Sequence, residues 1–244
     1  MNLKIKAFDS KKGKIKLNPL MKQGIIPGFN QGSVVLVGSV KSGKSTLIVN
    51  FMKRPEFYKD YFKPKNVFLF SPTATYDELA EEMGIIEENR VSENMIDELT
   101  EILEEQTSEV EDKGKSKAPK LCIIFDDLSS MKKLQRSKVF EKIYTTNRHL
   151  NIQVFCCVHK ISALSRLCRL QCAHIFFFSA PYSEMEILAS EFCGQGLSKK
   201  QMINLIRHAT TATEGDPKPF LYINNTAEPK KRYRKNLDKI LELY

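Results

Sequence analysis

No stretch of this chain approaches the roughly 20 apolar residues that a membrane-spanning helix requires. Its apolar runs, such as Ser33–Val37 and Ile175–Phe178, are short. The first residues alternate with lysine and lack the apolar core of a secretory leader. Membrane insertion and secretion are therefore not expected. Six cysteines are present (Cys122, Cys156, Cys157, Cys168, Cys172 and Cys193), but no two form a Cys-x-x-Cys pair. The expectation is reduced, mostly buried thiols of an intracellular protein. Cys168 and Cys172, with His174 nearby, lack the second ligand pair that a structural zinc site needs. No internal repeat and no low-complexity tract interrupts the sequence. No Asn/Thr-Lys-x-Asp segment follows a strand, which argues against a GTPase-type guanine site.

What is present suits one globular domain with short appendages: 244 residues, 42% hydrophobic and 27% charged. The net charge of +9 is unevenly spread. Residues 76–112 hold 15 of the 29 acidic residues and one basic residue, Arg90, so that segment carries −14 and the rest of the chain +23. Such an excess favours a polyanionic partner, nucleic acid first. The acidic segment reads as an exposed helical excursion that repels DNA or docks on a basic neighbour.

The organisation expected is a basic arm over residues 1–30, a domain over 31–226 and a basic tail over 227–244. Fully apolar strands are expected at Ser33–Val37, Asn66–Phe70, Leu121–Phe125, Ile152–Val158, Ala173–Phe178 and Pro219–Ile223. Helices are expected at Lys44–Lys53, Tyr76–Met83, Glu93–Glu105, Met131–His149, Ser183–Phe192 and Leu197–His208, with another in the tail after Pro229. Residues 107–120 read as a mobile loop. Strands apolar along their whole length, alternating with helices, indicate an α/β fold with a mostly parallel sheet covered on both faces.

The segment Gly38-Ser39-Val40-Lys41-Ser42-Gly43-Lys44-Ser45 fits GxxxxGK[ST] between an expected strand and an expected helix. Glycine lets the backbone curl so that successive N–H groups point at phosphate oxygens. The helix beginning there adds its positive end. Lys44 would reach the β- and γ-phosphates and Ser45 would be a Mg²⁺ ligand, with Thr46 completing the nucleotide-binding set. A second element, Leu121-Cys-Ile-Ile-Phe-Asp126-Asp127, places two carboxylates at the carboxyl end of a strand, where open α/β sheets bind ligands. Asp126 would hold Mg²⁺ and Asp127 would polarise the attacking water. Completing a hydrolytic site takes a cation and a polar sensor. Arg148 precedes the fourth strand and His159 follows it; Arg166 and Arg169 are weaker candidates for the cation. An arginine supplied across a subunit boundary makes turnover depend on assembly.

Gly38–Ser45, the strand Asn66-Val-Phe-Leu-Phe-Ser-Pro72, Ile123-Ile-Phe-Asp-Asp127 and Asn147-Arg-His-Leu-Asn151 together resemble the poxvirus-type genome-packaging ATPases of the FtsK–HerA superfamily. The resemblance implies a RecA-like P-loop ATPase core that assembles as a ring, a hexamer, and pumps double-stranded DNA into a preformed capsid. It implies ATP and Mg²⁺ as cofactors, a capsid vertex or portal-like protein as partner, and the host cytoplasm (the virus factory) or the virion as location. It also implies that Asp126 and Asp127 occupy the metal and catalytic-acid positions. The residue after the fourth strand is commonly Gln in that family and is His159 here, which would make turnover pH-sensitive near the ordinary imidazole pKa of about 6.5. Nothing in the chain resembles a nuclease domain. The arm Met1–Lys16, the segment Lys113–Lys120 and the tail Lys230–Lys235 are the expected DNA-gripping parts. A small nucleotide kinase and a nucleotide-gated binding switch are the competing readings. The first would need a better arginine-bearing lid than residues 166–169 offer.

Overall fold

A computed structural model describes residues 18–76, 78–194 and 196–241. The strands are β1 (Ser33–Val37), β2 (Val67–Phe70), β3 (Arg90–Val91), β4 (Leu121–Phe125), β5 (Ile152–Val158), β6 (Cys172–Phe177), β7 (Leu221–Asn224), β8 (Tyr233–Lys235) and β9 (Lys239–Ile240). They form one sheet in the order β3-β2-β4-β5-β1-β6-β7-β8-β9. The pairings from β3 through β6 are all parallel, and β7, β8 and β9 add antiparallel pairings. The α-helices are α1 (Pro19–Lys22), α2 (Lys44–Lys53), α3 (Glu78–Glu82), α4 (Met95–Lys113), α5 (Lys132–Gln135), α6 (Lys138–Thr146), α7 (Arg166–Leu170), α8 (Tyr182–Phe192) and α9 (Lys199–Thr210).

β1, β4 and β5 are buried at every position, as a strand covered on both faces must be. Alternate residues serve different cores because side chains along a strand point to opposite faces. Val35, Val37, Ile123 and Phe125 join the core that also takes Leu99 of α4, Ile143 of α6 and Leu188 of α8. Val34, Leu36, Ile124 and Phe155 join the core that takes Ile48 and Phe51 of α2. Phe51 is the hub of the second core: its ring centroid lies 5.5 Å from Phe57, 5.6 Å from Tyr58 and 5.6 Å from Phe176. Burying one such side chain stabilises the fold by about 1.5–3 kcal/mol.

Where the structure departs from the sequence expectation, a local bond or a tertiary partner decides. The helix expected over Met131–His149 is two, because Ser137 Oγ caps α6 by accepting from Phe140 N–H at 3.3 Å. α4 runs to Lys113, so the first half of the stretch expected as a mobile loop is helix, ending at Gly114 with φ +74°. The second half is tied down. Buried Gln106 donates to the carbonyls of Pro119 and Leu150 at 2.9 and 2.6 Å, and Asn151 holds the carbonyl of Lys115.

The tail expected as a helix after Pro229 is instead a short 3-10 turn followed by β8 and β9, which extend the sheet. Tyr233 is the reason: its side chain is buried, its hydroxyl donates to the carbonyl of Phe192 at 3.0 Å and accepts from Gly194 N–H at 2.7 Å. Of the expected arm, residues 1–17 lie outside the described residues. The remainder packs on the sheet through buried Met21, Ile26 and Phe29. The acidic residues of 76–112 surround β3, at one edge of the sheet, and α4. No described helix is long and apolar enough to cross a membrane.

Candidate nucleotide-binding and hydrolytic site

β1 lies between β5 and β6, and its carboxyl end is fixed from both sides: Gly38 N–H donates to the carbonyl of Val158 at 3.1 Å and Phe178 N–H to that of Val37 at 2.8 Å. The chain then curls from Gly38 to Gly43. Lys41 (φ +60°) and Gly43 (φ +109°) both adopt positive φ, a region that disfavours ordinary side chains. Gly38 is required for a different reason, the space around it. A Cβ there would stand 2.7 Å from both Ser42 Oγ and Phe178 Cβ, closing the concavity. Ser42 Oγ is itself buried with no hydrogen-bond partner, an orphaned polar atom inside the curl. A cradle of backbone amides with an unsatisfied hydroxyl, opening onto the amino end of α2, fits a phosphate group.

Lys44 is the first residue of α2 and is buried, 7% exposed. Its Nζ donates to the carbonyls of Gly38 and Ser39 at 2.7 and 2.9 Å, bridging the cradle. Burial lowers its pKa; Cys157, Asp126 and Asp127 oppose that by favouring the charge. The three groups act on one ammonium because β5 ends beside β1 and β4 ends beside β5. Ser45 and Asp126 line the same small cavity, together with Leu79 and Met83. The two Mg²⁺ ligands expected from sequence therefore face one space, and a hydroxyl with a carboxylate is the hard oxygen set that ion prefers. Asp126 is held through its N–H to the carbonyl of Phe70 at 2.9 Å.

Asp127 has φ +49°, a left-handed conformation tolerated best by Asn, Asp and Gly. Its Oδ1 meets His159 Nε2 at 3.1 Å. His159 is anchored in turn by its N–H, which donates to Ser129 Oγ at 3.2 Å. Two residues 32 positions apart thus form a carboxylate–imidazole pair at the ends of adjacent strands. The arrangement can bind a polyphosphate and a divalent cation, and it presents an oriented carboxylate for water.

The sequence pattern described as the poxvirus A32 protein family matches residues 29–238. The chain belongs to that family. No curated protein matches it. Among solved structures, the A32-family chain is similar to the genome packaging NTPase B204 from Sulfolobus turreted icosahedral virus 2. In complex with AMP, B204 gives a TM-score of 0.59 at 15% identity over 87% of this chain and 99% of that one. In complex with AMPPCP the TM-score is 0.56 at 15% identity, over 85% and 97%. ATPases 2 and 3 of EssC from Geobacillus thermodenitrificans give 0.54 at 11% identity, over 84% of this chain and 39% of that one. These likenesses establish the P-loop NTPase fold, the α/β architecture with a mostly parallel sheet.

The remaining expected residues of the A32-family chain stand elsewhere. Arg148 is exposed in the turn between α6 and β5, at the amino end of the strands and so on the opposite edge from Gly38–Ser45. It cannot reach its own cradle. Arg169 is occupied, donating to both carboxylate oxygens of Glu191 at 2.7 and 2.6 Å, and Arg166 is exposed with Nε 4.0 Å from the same group. Cys168 and Cys172 are buried, and no group of three or more His, Cys, Asp or Glu among the described residues could hold a metal. One residue at the cradle escaped the sequence reading. Lys218 packs its stem over Gly43, with Cδ and Cβ 3.5 and 3.6 Å from where a Cβ of Gly43 would stand. The sole local signal is the turn Gly215-Asp216-Pro217 before it.

Proposed function

We propose that this chain is an ATP-driven double-stranded DNA translocase that packages a viral genome into a preformed capsid, hydrolysing ATP to ADP and phosphate. The observation that carries the reading is the cradle of Gly38–Ser45 with Asp126 and Asp127 at the end of a neighbouring strand. The likeness to B204, a genome packaging NTPase, and membership of the A32 family support the packaging role.

Backbone N–H groups from Gly38 to Ser45 and the amino end of α2 bind the phosphates. Lys44 turns from the Gly38 and Ser39 carbonyls to the β- and γ-phosphates as the nucleotide enters. Ser45 and Asp126 would hold Mg²⁺, which when bound neutralises phosphate charge. Asp127 Oδ1 orients the attacking water and accepts its proton, while His159 Nε2 fixes the direction of that carboxylate. Arg148 acts on the nucleotide of a neighbouring subunit, since its own is at the far edge. The basic balance of the chain outside residues 76–112 engages the DNA backbone, making binding fall steeply with salt. A homo-oligomeric ring, a hexamer, a capsid vertex protein and the host cytoplasm complete the reading.

The test is phosphate release with and without duplex DNA for the wild type, Lys44→Ala and Asp127→Asn. The expected result is strong stimulation by duplex in the wild type and background rates in both variants. Transfer of phosphate to a nucleoside acceptor, or full function in Asp127→Asn, would overturn the reading.

A further inference from the structure

On the edge of the sheet opposite the cradle, at the amino ends of β1, β5 and β6, lies an open cleft of about 420 Å³. Arg148 lines it from the turn after α6, and Arg232 from the turn before β8, brought there by the antiparallel pairing of β6 with β7 and of β7 with β8. Neither arginine makes an ion pair among the described residues. Arg232 Nε is buried with no hydrogen-bond partner, while the guanidinium is braced against the Tyr233 hydroxyl. The acid of the cleft, Glu191, is already engaged by Arg169 through two hydrogen bonds. The cleft therefore keeps two unneutralised cations, beside a leucine, Leu170, that is 52% exposed.

The cradle edge offers the complement. It carries Asp126, Asp127 and the site for a triphosphate, and at the apex of the loop Val40 is 70% exposed. The two edges are opposite ends of the same parallel strands. Contact between them is head to tail, and such an interface closes into a ring when each step rotates. We infer that the cleft seats the cradle edge of a second copy of this chain, with Arg232 standing beside Arg148 as a second cation on the partner's triphosphate. Charge-assisted contacts to phosphate oxygens are strong in a water-excluded interface, and Leu170 and Val40 supply the apolar part of the seam. The inference rests on the reading that the cradle holds ATP and that Arg148 acts across a subunit boundary.

The experiment uses the full chain. Arg232→Ala should lower the rate constant for phosphate release on the order of 10²-fold, with binding of a fluorescent ATP analogue unchanged within about twofold. Mixed with Lys44→Ala before nucleotide is added, it should regain activity well above the sum of the two. The Arg232→Ala copy keeps its cradle and the Lys44→Ala copy keeps both arginines, so one class of interface is whole. Leu170→Glu, at an exposed position, should abolish nucleotide-dependent assembly in analytical ultracentrifugation while the chain stays folded.

Activity of the mixture equal to the sum, or unchanged assembly of Leu170→Glu, would overturn the inference. So would loss in Arg232→Ala of DNA stimulation alone, which would make the cleft a nucleic-acid surface. A wild type that releases no phosphate would instead overturn the proposed function, and the assembly of Leu170→Glu would still be readable by itself.

Discussion

The two edges of the sheet are built by different means. At the carboxyl edge, eight consecutive residues from Gly38 to Ser45 make the cradle, and Asp126, Asp127 and His159 each directly follow a strand or nearly so. At the amino edge the cleft is assembled from turns near residues 31, 148, 171, 192, 225 and 232. β5, seven residues at about 3.3 Å each, separates the two by roughly 23 Å. One edge concentrates the groups proposed to hold a phosphate and to orient water against it; the other has its donors fixed by backbone and tail. A sheet with different chemistry at its two ends has a polarity that a head-to-tail assembly can use.

That contrast can be broken by substitutions that each strike one end. The largest effect should come at the carboxyl edge. Lys44→Ala and Asp127→Asn are expected to reduce phosphate release by about 10²–10³-fold, equivalent to about 2.7–4 kcal/mol, while thermal unfolding stays within a degree or two. A large drop in melting temperature would show that the cradle is architectural as well. At the amino edge Tyr233→Phe removes two hydrogen bonds of 2.7 and 3.0 Å and should cost about 1–3 kcal/mol in urea unfolding, without changing nucleotide affinity.

His174 sharpens the same end. It is buried at the start of β6, hydrogen-bonded through Nδ1 to the Tyr222 hydroxyl at 2.9 Å, and burial pushes its pKa down to about 3. An unfolded-state histidine near 6.5 binds a proton first, so this contribution is complete above that pH and is lost as pH falls toward 3. Stability should drop by about 1.4 kcal/mol between pH 7.5 and 5.5, and His174→Phe should flatten that slope in urea titrations. The smallest effect expected is at Lys218. Lys218→Ala should raise the KM for ATP by about fivefold, under 1 kcal/mol, with kcat unchanged. An unchanged KM would remove Lys218 from the nucleotide site.

Legibility followed this division. The strands β1, β4 and β5 could be bounded to the residue because an unbroken apolar run has one reading in a covered sheet. Helix α2 was equally plain, starting at Gly43-Lys44 and stopping before Pro55. The tail could not be read. Its alternation of basic residues looks like a solvated helix, and only the socket between Phe192 and Gly194 makes Tyr233 a strand residue. The break between α5 and α6 rests on a serine cap that a hydrophobic period hides. Distance along the chain was the other limit. Asp127 and His159 each stand out in the sequence, but their 3.1 Å contact follows from β4 pairing with β5, and no spacing rule encodes it. Arg148 was legible as a residue type and not as a place.

The thiols offer a practical handle on this asymmetry. Five of the six cysteines are buried, and burial raises their pKa, which suppresses the thiolate that reacts. Burial raises the pKa of Cys193 as well, but its thiol alone is partly accessible, and it lines the amino-edge cleft. A maleimide dye offered to the native chain would settle there without any engineered site. Its fluorescence would then report the proposed head-to-tail assembly, rising or falling as one copy settles against the next, in the unmodified sequence.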